Sequence, residues 1–365
     1  MGFESGSISF RAFYLASQLP EDHLERFSQH AAPPMDSVGR DPAQGWVTGR
    51  HLLDRNIVEE TAYLGGYLRL SLMKAERKVP MPLLRAECMM EELAAIQASG
   101  EAFLPRPERT KIRKEITERL LPQMPPQLSG ISMVCGKQDD FLFAAALGDK
   151  QVDALTLAFN STVGIELVPI TPETASLKRK QFSTRQLSPC SFSPDCKDED
   201  APDLVGFDFM TWLLFYCEER GGLVESGQGE FSVMLEGPLL FFMEGAGAHE
   251  VRINKGAPLL SGESNTALRS GKKLRRARLT IARGEEQWSA DMDGADFAIR
   301  GLKLPKAPPM DAASAYQERI ISTRTFVSTF LALYDIFIEE RRDTNVWANV
   351  KRDMHKWVST REGTG

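Results

Sequence analysis

A run of basic residues is the sharpest chemical signal in the sequence. From Arg269 to Arg283 the chain has seven Lys or Arg residues and no acid. Its alternation predicts a strand with Arg276 and Arg278 on one face and apolar residues on the other. A row of guanidinium groups can bind phosphate oxygens through bidentate hydrogen bonds. Alternatively, the row is a solvated strand face whose charge prevents aggregation at a sheet edge. The candidate phosphate contacts in this run are Lys272, Lys273, Arg275, Arg276 and Arg278.

A second basic group lies in the first third of the chain. Its candidate phosphate contacts are Arg77, Lys78, Arg113 and Lys114. The last two belong to a predicted polar helix that also carries Glu residues at three- and four-residue spacing, so a salt-bridged solvated face is the alternative. A third group, Lys178, Arg179, Lys180 and Arg185, lies in a stretch rich in Ser, Pro and charge. It is equally compatible with phosphate contact and with solubility.

Catalytic chemistry has a weaker basis in the sequence. Asp54, Glu76 and Lys78 could form a metal-dependent nuclease site at the end of a strand, although an ordinary charged turn explains them as well. The five histidines show no metal-ligand spacing, and no second Cys/His pair follows Cys190 and Cys196 at the spacing of a zinc site. No nucleophile elbow, phosphate-binding loop or dinucleotide fingerprint is present. We therefore predict no metal, no cofactor and no enzymatic activity.

Composition limits the class of protein. The chain has 365 residues, of which 42% are hydrophobic and 26% charged, so it can bury a core without disulfides. The five cysteines are odd in number and irregularly spaced, as in a reducing compartment. No apolar stretch reaches the length of a membrane span and no signal peptide is evident, which together predict a cytoplasmic protein. Because the net charge is −6, the chain can bind an anionic partner only where basic residues gather on one surface.

The order of predicted elements indicates an α+β fold of antiparallel sheets with helices packed on them. Strand patterns alternate with helices early in the chain, and a β-meander precedes two helices near its end. We predict an N-terminal domain at 1–175, a linker at 176–202, a meander domain at 203–304 and a helical region at 305–365. The two halves are expected to be nearly independent.

Several scattered patterns resemble the RdgC family of recombination-associated proteins. In the first half these are Gly45-Trp46-Val47, His51-Leu52-Leu53-Asp54, Arg77-Lys78-Val79-Pro80, the helix at 109–121, Leu147-Gly148-Asp149-Lys150 and Leu167-Val168-Pro169-Ile170. In the second half, Phe209-Met210-Thr211-Trp212-Leu213, Gly256-Ala257-Pro258 and Gly271-Lys272-Lys273 are similar to a longer form of that family.

The resemblance implies a function that spacing alone does not. It implies a nucleoid-associated bacterial protein that forms a ring-shaped homodimer around duplex DNA, with little sequence preference, and limits the action of the RecA recombinase. Some members carry an exonuclease label, which keeps a metal-dependent exonuclease as an alternative. A further alternative is a protein-interaction scaffold that dimerises through the long C-terminal helix and its Phe326, Phe330, Leu333 and Phe337.

Overall fold

The computed structural model describes residues 2–100, 102–137, 139–201, 203–244, 249–254, 259 and 261–361. The Gly256-Ala257-Pro258 pattern lies outside the described residues. The strands are β1 Ile8–Leu15, β2 Ala43–Thr48, β3 Tyr63–Leu64, β4 Tyr67–Arg77, β5 Pro126–Gly136, β6 Phe141–Ala144, β7 Leu167–Pro169, β8 Leu223–Ser226, β9 Gly229–Phe242, β10 Glu250–Ile253, β11 Lys273–Arg283, β12 Glu286–Asp293 and β13 Ala298–Lys303. The helices are α1 His23–Gln29, α2 Glu59–Ala62, α3 Met81–Ser99, α4 Arg106–Leu120, α5 Asp149–Val163, α6 Pro172–Lys180, α7 Val205–Glu219, α8 Gly262–Arg269, α9 Ala312–Arg342 and α10 Thr344–Thr360.

The described strands form one long antiparallel sheet. Its order is β10-β9-β11-β12-β13-β1-β6-β5-β4-β2, with β3, β7 and β8 paired beside this path. Strand β1 joins the two halves because it pairs with β6 and β7 on the N-terminal side and with β13 on the C-terminal side. The predicted α+β class with antiparallel strands is confirmed.

The largest hydrophobic core lies under the C-terminal part of the sheet and extends across the junction of the halves. Helices α7 and α9 contribute Phe209, Phe330 and Tyr334, whose rings meet that of Phe297 at centroid distances of 4.9 to 6.0 Å. Phe10 of β1 belongs to the same core. Because one core contains residues from both halves, the structure differs from the prediction of two nearly independent units.

The segment predicted as a linker also differs from expectation. Its start lies in α6, and Cys190 and Phe192 are buried in the main core. Arg179 binds Asp335 of α9 with both nitrogens Nε and Nη2, at 2.9 and 2.5 Å. Within the same segment, Ser183 caps a short 3-10 helix and Lys180 pairs with Glu339 of α9.

Helix α9 is a core helix. By length and composition it could cross a membrane, but 61% of its most apolar window is buried inside the protein. The four side chains proposed as a dimer face, Phe326, Phe330, Leu333 and Phe337, are all buried in the main core. This corrects the scaffold hypothesis, because that face already packs against the chain's own sheet and helices.

Helices α3 and α4 form a hairpin with a small core of its own. Helix α3 begins after Pro80 and ends at Gly100, whose left-handed φ of 69° suits a glycine. Leu84 packs with Ile116 and Leu120 of α4. Leu83, Met90 and Leu93 share the apolar stripe of α3 with Leu84, but they are exposed. The hairpin therefore offers apolar side chains to solvent.

Candidate nucleic-acid interface

Strand β11 carries the predicted basic run and lies inside the sheet, between β9 and β12. The tight turn between β11 and β12 sets the register, so that Arg276 faces Asp293 and Arg278 faces Asp291. The apolar Leu279 and Ile281 are buried on the opposite face, as predicted. The arginines thus lie on the charged face of the sheet, each directly opposite an aspartate.

The register converts the basic run into a set of ion pairs. Arg276 Nη2 lies 2.5 Å from Asp293 Oδ2, and Arg278 Nε lies 2.9 Å from Asp291 Oδ1. Arg275 lies 3.2 Å from a Glu250 carboxylate oxygen and 3.5 Å from Asp293. A phosphate at this face must therefore compete with carboxylates that already hold the guanidinium groups.

The charge alternation continues across four strands. Glu236 of β9, Arg278 of β11, Asp291 of β12 and Arg300 of β13 are neighbours in register. Adjacent unlike charges of this kind stabilise a sheet face. Sequence analysis did not single out Arg300; extending the hairpin register from β12 to β13 would have placed it there.

Lys273 requires a correction. It was proposed as a phosphate contact, but only 1% of its surface is exposed. Its ammonium lies 2.5 Å from Asp208 Oδ1 of α7, which is itself buried. Lys273 is thus the cation of a buried ion pair and cannot reach a phosphate in this structure. Its neighbour Lys272 is partly exposed, and its Nζ lies 3.3 Å from the Ser270 hydroxyl.

Arg77 also requires a correction. Its guanidinium donates to the carbonyl oxygens of Val38 and Met124, so it ties two loops to the end of β4. Lys78 is more exposed than Arg77, and its ammonium pairs with Glu76. Of these two candidates only Lys78 keeps a surface position.

Helix α4 has a different arrangement. Arg113 is exposed and has no ion pair among the described residues, whereas Lys114 lies 4.0 Å from Glu118 with both side chains largely exposed. Exposed pairs of this length contribute little energy and leave the cation accessible. Near the other end of α4, Arg119 binds Glu87 and Glu91 of α3 and fixes the hairpin.

A groove of ≈ 610 Å³ runs between α3 and α4. Its wall includes four arginines and the apolar side chains of Met81 and Met89, with Glu92 as an acid. The four arginines are Arg85, Arg106, Arg109 and Arg113. None of them has a carboxylate partner within the described part of the chain; Arg109 Nε donates to the Leu104 carbonyl. Arg106, Arg109 and Arg113 recur at spacings of three and four, the sequence signal that could have identified this face.

The structure does not join the proposed nuclease residues into one site. The Asp54 carboxylate accepts hydrogen bonds from the Thr48 hydroxyl at 2.7 Å and the Asn56 backbone N–H at 3.3 Å. The Glu76 carboxylate is held by Lys78 and Lys74, whose hydrogen bonds lower its pKa. Across the described residues no group of three or more His, Cys, Asp or Glu side chains is arranged to hold a metal.

The basic residues of the third group contribute mainly to packing. Arg179 and Lys180 bind Asp335 and Glu339 of α9. Arg185 is largely exposed and lies 3.9 Å from Glu173. Only Lys178 has no ion pair among the described residues.

These features define an α+β protein built on one antiparallel sheet, with a balanced charged face and a helical hairpin whose groove is lined by four arginines. Residues 11–184 match the family model described as "Putative exonuclease, RdgC". This segment is an RdgC family domain, and it contains most of β1 and the whole α3–α4 hairpin. No curated protein matches the chain.

Proposed function

We propose that the protein binds duplex DNA with little sequence preference and modulates homologous recombination without catalysing a reaction. The α3–α4 groove supplies the main phosphate contacts, and Lys272, Arg275, Arg276 and Arg278 supply a second group from the sheet. The observation that carries the proposal is the convergence of four arginines without carboxylate partners, among the described residues, on one groove. The RdgC family domain supports the connection with recombination.

The chemistry of the groove favours phosphate. Guanidinium groups bind phosphate oxygens in bidentate fashion and remain charged at every physiological pH. Contacts to the backbone carry no sequence information, which explains tolerance of sequence. A chain with a net charge of −6 needs such a concentrated basic surface to attract DNA.

We further propose that the protein acts as a ring-shaped homodimer that encloses DNA. Large apolar side chains are exposed on and beside the hairpin, among them Met89, Met90, Leu93 and Phe103, the last with 72% of its surface accessible. Clustered exposed apolar groups beside polar ones are typical of subunit contacts. In the proposed dimer this surface meets a second copy, which would bring the arginine grooves of both subunits together.

The cellular part of the proposal rests on the family. The protein is proposed to be cytoplasmic and nucleoid-associated, and to limit RecA by occupying the duplex rather than by contacting RecA directly. This role needs DNA and a second copy of the chain as partners, and no cofactor.

Fluorescence anisotropy with a labelled random duplex tests the proposal. Affinity should fall steeply with salt, with a log–log slope of about −0.9 for each phosphate neutralised. The probe should remain intact in magnesium. Loss of the probe in magnesium that is abolished by Glu76→Ala would instead support the exonuclease, and no binding at low salt would refute the DNA proposal. Light scattering of wild type and Phe103→Glu tests the dimer, because a charge in the subunit contact should yield monomers.

A further inference from the structure

We infer that a cavity in the C-terminal half is a binding site for a phosphate group. The cavity has a volume of ≈ 420 Å³ and lies where α9 is followed by α10. Its opposite wall comes from the segment 182–190. Three cations, Arg341, Arg342 and Lys351, lie in the wall together with one carboxylate, that of Asp198.

The sequence of α10 explains how polar groups gather on this wall. Thr344, Trp347 and Lys351 recur at spacings of three and four, which places them on one face of the helix. Arg341 and Arg342 are the last two residues of α9, and a single residue separates them from α10. The short connection therefore brings the cationic end of one helix beside the first turn of the next.

Two buried N–H groups in this wall have no acceptor among the described residues. Arg341 is 8% exposed and Trp347 is 6% exposed. Arg341 Nη2 donates to the Ser188 carbonyl at 2.5 Å, and the guanidinium carbon lies 4.7 Å from the centre of the Trp347 ring. Arg341 Nε and Trp347 Nε1, however, remain without a partner. Both nitrogens are buried behind the wall, so the cations that a phosphate in the cavity can reach are Arg342, which is exposed, and Lys351, which is partly exposed.

The charge balance of the cavity agrees with a phosphate. Lys351 and Asp198 pair with each other and offset one another. Arg342 has no carboxylate partner in the part of the chain that the structure describes, whereas the charge of Arg341 acts on the buried Asp208 carboxylate, so one positive charge is left uncompensated. A phosphate carries one to two negative charges at neutral pH, and its oxygens fit the guanidinium fork.

The site is separate from the proposed DNA surface. It is built from α9, α10 and the segment 182–190, whereas the arginine groove is built from α3 and α4. The phosphate could belong to a free small molecule or to the end of a DNA strand, and the recognition chemistry is the same for both. The inference therefore does not depend on the proposed function.

Calorimetric titration of the full chain with inorganic phosphate, at ionic strength held constant with chloride, tests the site. Saturable binding is expected in the wild type. Arg342→Gln should weaken it about tenfold, because it removes one charged hydrogen-bonding partner. Arg342 is exposed and has no ion pair among the described residues, so this variant should fold. Trp347→Phe keeps the ring and removes an N–H that does not face the cavity, and should bind as the wild type does. Arg352→Gln, an exposed change on α10 outside the cavity wall, is the matched control and should bind as the wild type does.

Two outcomes would overturn the inference: no saturable binding of phosphate by the wild type, or equal affinity in wild type and Arg342→Gln. Duplexes that carry or lack a 5′-terminal phosphate show whether the bound phosphate belongs to a DNA end or to a small molecule. A reduced affinity of Arg342→Gln that is confined to the phosphorylated duplex assigns the site to a DNA end. Unchanged affinity for both duplexes, with weakened binding of inorganic phosphate, assigns it to a small molecule.

Discussion

The two basic regions of the molecule, strand β11 and helix α4, carry similar runs of Lys and Arg but present them differently. On β11, Arg276 and Arg278 each lie opposite an aspartate at 2.5 to 2.9 Å. On α4, the ion pairs within the helix are 3.9 to 4.0 Å long, and Arg106 and Arg113 have none in the described chain. The strand is richer in positive charge along the sequence, but the helix is richer in charge available to a ligand.

The difference follows from the geometry of the two elements. A strand inside a sheet has neighbours on both sides, and every side chain on its face meets one from each. An exposed helix meets only its own residues three and four positions away, across longer and solvent-screened distances. The number of basic residues in a segment is therefore a better guide to an anion-binding surface when the segment is an exposed helix than when it is an inner strand of a sheet.

The largest expected effect concerns Lys273, where the comparison predicts a structural role. Lys273→Met should lower the free energy of unfolding by about 3–5 kcal/mol, because it leaves the buried Asp208 carboxylate without its cation. Urea denaturation measures this change. The double variant Lys273→Met, Asp208→Leu should recover much of the stability. If Lys273→Met were as stable as the wild type but bound DNA less tightly, Lys273 would be a DNA contact and not a structural residue.

Helix α4 gives the next largest effect, this time on binding. Arg106→Gln with Arg113→Gln should lower duplex affinity about tenfold or more. The double variant should also reduce the salt slope by about 2, because each arginine that neutralises a phosphate adds about one unit to that slope. Anisotropy over a salt series measures both quantities.

The control for this variant is Arg352→Gln with Lys356→Gln, which removes the same charge from exposed positions of α10. The control should bind as the wild type does. Equal reductions of affinity in the two double variants would mean that net charge alone, and not the groove, governs binding.

Much of the fold could be predicted from local patterns. The β-meander and the two helices near the end of the chain follow from periodicity and turn residues. The ion pairs of β11 were also accessible, because a tight turn between Arg283 and Glu286 fixes a register that places Arg276 opposite Asp293. Carrying that register along the strand would have shown that the basic run is balanced.

Other features depend on contacts between distant parts of the chain. Lys273 and Asp208 are joined only when α7 packs on the sheet, and β1 pairs with β13 across nearly the whole chain. The apolar residues of α3 have helical periodicity, yet most are exposed because the core that α3 shares with α4 is small. Periodicity identifies an apolar face, but it does not identify what covers that face.

A substitution of Asp291 should change DNA affinity by a smaller factor, and it should raise the affinity instead of lowering it. Asp291→Asn should release Arg278 from its ion pair and raise duplex affinity about threefold, since the freed guanidinium can bind one more phosphate at low salt. Asp353→Asn removes the same charge from α10 and should leave affinity unchanged. Unchanged affinity in both variants would remove the β11 face from the DNA surface and leave α4 as the sole region of the two that binds.

The smallest expected effect is on the pH dependence of stability. Burial would raise the pKa of Asp293, but the hydrogen bonds from Arg276 and from the Ala295 backbone N–H outweigh it and hold the pKa below its ordinary value. Because the folded pKa is lower than the unfolded one, the ionised carboxylate stabilises the fold above the unfolded pKa, and this contribution disappears as pH falls through the folded value. Asp293→Asn should therefore be less stable than wild type at neutral pH, by about 0.5 kcal/mol, and the difference should shrink in acid. Urea denaturation at neutral pH and near pH 3 measures it. A difference that stays constant with pH would show that the Arg276–Asp293 pair adds no net stability, and that the arginine is free to exchange its carboxylate for a phosphate.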